Sequence, residues 1–165
     1  MTSSPSLNAV SNSPLKKLSA VCLPVLVVTV ALSATTARKI PADDFFKGLF
    51  ETALGDGEIV TSISFPKAEK AAYMKFPNPA SRYAMVGVFV AKTAGGVRVA
   101  VTGAGPCVFR VKAMEDALAK NFSSDAIKDI KVPADGLNSD IHGSAEYRAH
   151  LVTVMARRAV DQANK

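Results

Sequence analysis

The sequence predicts an α+β fold, with antiparallel strands first and helices after them. Three observations carry this. Residues 58–66 repeat with a period of two, which suits a strand with one buried face. Two runs, 82–92 and 97–105, flank the glycine pair Gly95-Gly96 and read as a hairpin. Everything after Gly105 reads as helix, with apolar residues recurring at spacings of three and four. A parallel, doubly wound sheet would interleave the two patterns instead.

The chain has 165 residues, enough for one domain with an appendage. With 48% hydrophobic and 21% charged residues, it has ample apolar material for a core, which excludes disorder of the whole chain. Two cysteines, Cys22 and Cys107, exclude a disulfide scaffold and a four-cysteine zinc site. The net charge of +6 is uneven: residues 1–40 carry +4 with no acid, and residues 41–165 only +2. A nucleic-acid binder concentrates charge on its folded part, so no nucleic-acid partner is expected. No apolar run is long and clean enough to predict a membrane span.

Residues 1–14, rich in Ser, Asn and Pro, are expected to be disordered. Residues 18–34 follow Lys16 and Lys17 and allow two readings. A basic patch, an apolar stretch and small residues resemble a secretory signal. The plainer reading is a buried strand, because Val25, Val27, Val28, Thr29 and Val30 are β-branched and Pro24 interrupts a helix. Residues 41–54 read as a helical turn or two, with Phe46, Leu49, Phe50 and Ala53 at helical spacing and Asp43 or Asp44 as cap. Gly55-Asp56-Gly57 punctuates the chain. In 58–66, Ile59, Thr61, Ile63 and Phe65 are expected to form the core face. Residues 67–71 are charged and solvated, 71–76 form a short strand, and Pro77 and Pro79 impose an irregular turn. Beyond the hairpin, a helix over 108–120 presents Val111, Met114, Ala117 and Leu118 on one face. Residues 123–130 form a shorter helix. The longest, 144–162, carries Tyr147, Leu151, Val154, Met155 and Ala159 as its stripe and Ser144 as N-cap.

Few motifs carry chemistry. Gly103-Ala104-Gly105-Pro106 lacks the third glycine of a dinucleotide fingerprint and the Gly-Lys-Ser/Thr of a P-loop, so it reads as a structural turn. His142, Glu146 and His150 stand four apart, but His142 precedes the proposed cap; Glu146 and His150 read as a surface pair rather than metal ligands. Arg157-Arg158 complements the dipole at the end of the long helix. Cys107 has no histidine partner in sequence, and no serine sits in a nucleophile elbow. No self-contained catalytic site and no metal site are expected. Lys75, beside the rigid Phe76-Pro77-Asn78-Pro79 turn with Tyr83 soon after, has two readings. It is either a cation next to an aromatic facing a planar, electron-rich ligand, or a solvent-facing guard on an edge strand.

The segments PADDFFKGLFETALGDGEIVTSISFP, AYMKFPNPASRYAMVGVFVA and GSAEYRAHLVTVMARRAV, in this order over residues 37 to about 162, resemble the flavoprotein subunit of molybdenum hydroxylases. The medium subunit of aerobic carbon monoxide dehydrogenases is the nearest pattern. The resemblance implies a small antiparallel β-sheet packed on a C-terminal helical bundle, in which Tyr147 and Arg148 are structural. It implies FAD as cofactor, taking electrons from a molybdopterin-containing large subunit through a 2Fe-2S small subunit. By the same resemblance Lys75 and Tyr83 are the cofactor-binding residues, positioning the isoalloxazine ring, with no acid–base role. Asn78 stands where the family usually has histidine. The glycine-rich segments that hold the pyrophosphate in the family are not seen in this sequence. Residues 1–36 are therefore expected to be a divergent segment, 37–57 a remnant of the FAD-binding domain's end, and 58–163 the flavoprotein C-terminal domain. The expected function is the C-terminal part of an FAD-binding electron-transfer subunit, truncated and inactive alone. The alternative is a non-catalytic subunit-docking domain that binds no flavin. A cytoplasmic location is expected, or export if residues 15–34 act as a signal.

Overall fold

The computed structural model describes residues 27–33, 36–49, 51–65 and 67–165. The disorder expected for residues 1–14 and the first part of the 18–34 segment lie outside them. Over its described part that segment is a strand: β1 (Val27–Ser33) lies between β2 (Thr36–Pro41) and β5 (Ile59–Ser64), antiparallel to both. Among the described residues no helix is long and apolar enough to cross a membrane.

Residues 41–54 hold one of the one or two helical turns expected. One turn forms, α1 (Ala42–Phe45), and the chain then turns back on itself as β3 (Phe46–Gly48) and β4 (Glu51–Thr52). No side chain caps α1. Asp43 is drawn instead to arginines of the next sheet, and Phe45 and Phe46 pack edge to face with ring centres 5.1 Å apart. This local pairing leaves no room for a second helical turn.

The strand at 58–66 forms as β5, but its faces are opposite to expectation. Ile59, Ile63 and Phe65 are 63%, 43% and 55% exposed, whereas Val60 packs on Ile40, Ala42 and Phe45. Alternation fixes which residues share a face. Which face is covered depends on where α1 lands, and α1 lands on the side of Val60.

The second sheet is a meander of β6 (Lys70–Pro77), β7 (Ala84–Thr93), β8 (Gly96–Thr102) and β9 (Phe109–Arg110). Thr93 pairs with Gly96, so the tight turn is Ala94-Gly95, one residue earlier than the glycine pair suggested. Alternating valines, Val86, Val88 and Val90 on β7 and Val97, Val99 and Val101 on β8, line one face. Burying each contributes about 1.5–3 kcal/mol. The helices cover that face: α2 (Lys112–Lys120) through Met114 and Leu118, a 3₁₀ turn (Ser124–Ile127) through Ile127, and α3 (Ala145–Ala163) through Val152, Met155, Ala156 and Val160. The small Ala156 and Ala159 let α3 lie close to the sheet. α2 starts four residues later than expected, because β9 claims Phe109 and Arg110 for the sheet edge. α3 matches its expected span, and Ser144 Oγ accepts from the Tyr147 N–H at 3.3 Å as N-cap. Its buried stripe is rotated from the expected one: Tyr147 is partly exposed and Arg148 takes an inward position.

Candidate functional site

The end of the β6–β7 hairpin brings Lys75 and Tyr83 together. Pro77 and Pro79 cannot donate backbone hydrogen bonds, so the turn is braced from Asn78. Its Oδ1 accepts from the N–H groups of Ala80 (2.9 Å) and Ser81 (3.2 Å), and its own N–H donates to the Tyr83 carbonyl at 2.7 Å. Arg82 N–H donates to the Asn78 carbonyl at 2.9 Å, with Arg82 at φ 62°, a left-handed conformation uncommon for a residue with a side chain. The Arg82 carbonyl thereby accepts from Lys75 Nζ at 3.0 Å. The ammonium is tied to the carbonyl that directly precedes Tyr83, a residue that is 62% exposed. Asn78, which departs from the resembled pattern, is thus the residue that braces this turn.

Lys75 lies on the sheet face that points away from the helices. Two residues earlier on that face, Tyr73 reaches across the sheet over Gly87. A Cβ on Gly87 would stand 2.2 Å from Tyr73 Oη and 2.7 Å from Thr102 Oγ1, so glycine is required for the phenol to lie there.

Beside Tyr83 is an open groove of about 220 Å³, lined also by Asn78, Asn138, Asp140, His142 and Arg148. Arg148 is buried, yet every direction of its guanidinium is used. Nη1 donates to the Met85 carbonyl (2.8 Å) and the Gly103 carbonyl (3.2 Å), Nη2 to Asp140 Oδ2 (2.7 Å), and Nε to the Gly143 carbonyl (3.4 Å). Asp140 and Gly143 exchange backbone bonds, and Asp140 Oδ1 accepts from the His142 N–H at 2.9 Å. The His142 N–H does most to hold the Asp140 carboxyl below its ordinary range; Arg148 adds to this and partial burial opposes it. One arginine therefore ties the loop before α3 to the ends of β7 and β8, which agrees with its expected structural role.

The glycine run at 103–106 is a turn in that same tie. Gly103 has φ +76°, and a Cβ there would stand 2.2 Å from the Ala84 carbonyl oxygen. Its own carbonyl is shared by Arg148 and Asn138. His142, Glu146 and His150 do not converge. His142 sits in the turn before α3, and Glu146 folds back on its own N–H and Ser144, which hold its carboxyl below the ordinary range. Among the described residues no three His, Cys, Asp or Glu side chains form a metal-ligand set, and no bond joins Glu146 to His150. Cys107 is a half-buried free thiol.

A second cluster went unseen in the sequence. Buried Glu115 accepts from the Val99 N–H (2.9 Å) and from Arg110 Nε (2.9 Å) and Nη2 (2.5 Å). Arg110 Nη1 then reaches Asp43 at 3.1 Å, and Arg98 reaches the same carboxylate at 3.2 Å. The hydrogen bonds to Glu115 raise the Arg110 pKa above its ordinary value; Asp43 adds to this and burial opposes it. The partners are 5 to 67 residues apart, so no local spacing announced them.

A four-stranded antiparallel meander backed on one face by helices is the part of the chain that matches a known family. Residues 71–163 match the family described as the CO dehydrogenase flavoprotein C-terminal domain, and the chain belongs to that family. It is 34% identical to the glyceraldehyde dehydrogenase medium chain of Sulfolobus acidocaldarius, over 92% of this chain and 58% of that one. It is also 34% identical to the nicotine 6-hydroxylase medium subunit of Paenarthrobacter nicotinovorans, over 76% of this chain and 48% of that one. Among solved structures, carbon monoxide dehydrogenase from Hydrogenophaga pseudoflava superposes with a TM-score of 0.70 at 26% identity, covering 89% of this chain and 55% of that one. The chain thus spans about half the length of the relatives it matches.

Proposed function

We propose that this chain serves as the C-terminal part of an FAD-binding electron-transfer subunit of a molybdenum hydroxylase, with Lys75 and Tyr83 at the flavin ring. The observation that carries the reading is the bond from Lys75 Nζ to the Arg82 carbonyl, which fixes an ammonium at the backbone carbonyl directly preceding the exposed Tyr83. That donor set fits one end of the cofactor. A planar, electron-rich ring takes an ammonium at its carbonyl edge and a phenol against its face. It does not fit a pyrophosphate, which needs converging backbone N–H groups or several cations. The flavin supplies the redox chemistry when bound; Lys75 and Tyr83 orient it and set the charge at its edge. In this reading the partners are a molybdopterin-containing large subunit and a 2Fe-2S small subunit in the cytoplasm. Residues 1–36 and 37–57 belong to what precedes the C-terminal domain, and 58–163 to that domain, with β5 lent to the first sheet.

The test is a titration of FAD into the purified chain, followed by flavin fluorescence. Saturable quenching is expected, weakened roughly tenfold in Lys75→Ala, as loss of a cation–ring contact predicts. Quenching that Lys75→Ala and Tyr83→Ala leave unchanged refutes the ring site. The second reading, a docking domain that binds no flavin, draws on the exposed Ile59, Ile63 and Phe65 face of β5. Absence of quenching in a folded sample, with retention by a molybdenum-containing large subunit, selects it.

A further inference from the structure

We infer that Asp43 and Phe46 form a clamp that holds the first sheet on the outer face of the second, and that Glu115 sets it. The two parts have separate cores: Ile40, Ala42 and Phe45 in one, and the valine face with the helices in the other. Phe46 is the bridge, packing both against the first core and against Ala100 on the second sheet, which Phe89 and Val108 also cover. The polar half of the contact is Asp43, whose Oδ2 lies 3.2 Å from Arg98 and 3.1 Å from Arg110. Beside these two contacts the junction is an open cleft of about 260 Å³, lined by Asp43, Phe46, Phe109, Arg110 and Lys112, so the parts touch at points and do not share a core.

The carboxylate is half exposed while both guanidiniums are largely covered. The arginines are the fixed jaw: Glu115 grips Arg110 through Nε and Nη2 and leaves Nη1 aimed at Asp43. Asp43 is the movable jaw, open to water and salt. Ion pairs with one exposed partner are individually weak and are screened by salt, so the contact is reversible. Released, the first sheet and α1 loosen while the valine core and α3 keep their packing.

Hydrogen exchange of the full chain, read by peptide, tests this. Asp43→Asn is expected to speed exchange of residues 36–48 roughly fivefold, with α3 unchanged; wild type at high salt follows the same pattern, and Asp43→Glu recovers part of the protection. Glu115→Gln, with Asp43 in place, is expected to loosen 36–48 as well, because Arg110 loses its orientation. Equal exchange in Asp43→Asn and wild type overturns the clamp. So does a rise spread evenly over 36–48 and α3, which would mean one cooperative unit.

Discussion

Replacing Arg148 with methionine tests how much of the fold hangs on one buried guanidinium. Methionine keeps an unbranched apolar stem of similar reach, so the lost quantity is polar. The Met85 and Gly103 carbonyls each lose a charged donor, at 2.8 and 3.2 Å. Hydrogen bonds to charged groups contribute about 1.5–3 kcal/mol each. Breaking a buried ion pair costs about 3–5 kcal/mol when the remaining charge stays buried. Here Asp140 is 46% exposed and regains water, so that contribution is small. The long Gly143 contact at 3.4 Å adds little. Because the Gly103 carbonyl keeps its Asn138 donor, the sum is taken at the low end, about 3 kcal/mol. At an m-value of about 2 kcal/mol/M the urea midpoint falls by roughly 1.5 M. Lysine does not rescue it, because one ammonium cannot fork to acceptors on three segments. Urea unfolding followed by far-ultraviolet circular dichroism gives the number. A loss below about 1 kcal/mol at unchanged m-value refutes the claim that Arg148 ties the loop to the sheet.

Gly103→Ala places a Cβ against a backbone carbonyl at positive φ, so it is expected to cost about 2 kcal/mol or more in the same unfolding assay. Gly87→Ala meets only the movable end of Tyr73 and Thr102 Oγ1; a milder loss of about 1 kcal/mol is expected, with the Tyr73 ring signal shifted in NMR spectra. Ser144→Ala removes the α3 cap and is expected to cost about 1 kcal/mol, read as a lowered thermal midpoint. The Glu58 pKa is lowered to about 2, first by the Arg38 side chain and then by the Gly55 N–H. A depressed carboxylate value means the contact is at full strength above the ordinary glutamate pKa, about 4.3, and is lost as pH falls toward 2. The Gly55 amide shift should therefore titrate near 2; a midpoint near 4.3 rejects the pair.

The C-terminal part was legible because its signals are local. Ser144 and the apolar period of α3 lie within one element, and the β7–β8 hairpin announces itself through its turn. The failures share a different cause. Residues 41–54 carry helical spacing, yet Phe46 finds the second sheet and Asp43 finds Arg98 and Arg110, contacts that no window of the sequence contains. The sequence predicts β5 as a strand but inverts its faces, because parity follows from the pleat and the wet side follows from α1. Arg148 was assigned a structural role by resemblance; that it is buried with four acceptors is visible only when the loop, both strands and the helix are assembled.

The same distinction bears on the candidate site. Lys75 and Tyr83 are eight residues apart, close enough to be suspected together, but their relation depends on a turn whose brace is Asn78. Tyr83 accepts through its carbonyl from Asn78, and Lys75 is held by the carbonyl immediately before it. The ammonium is therefore positioned by backbone before any ligand arrives, and little side-chain entropy remains to be lost on binding. Removing the Asn78 amide oxygen, as in Asn78→Ala, disturbs the candidate site without touching the Lys75 or Tyr83 side chain. Weakened flavin quenching in that variant, with Lys75 and Tyr83 intact, is what pre-organisation requires. Equal quenching would mean that the turn is scaffolding and that the cation finds its own place.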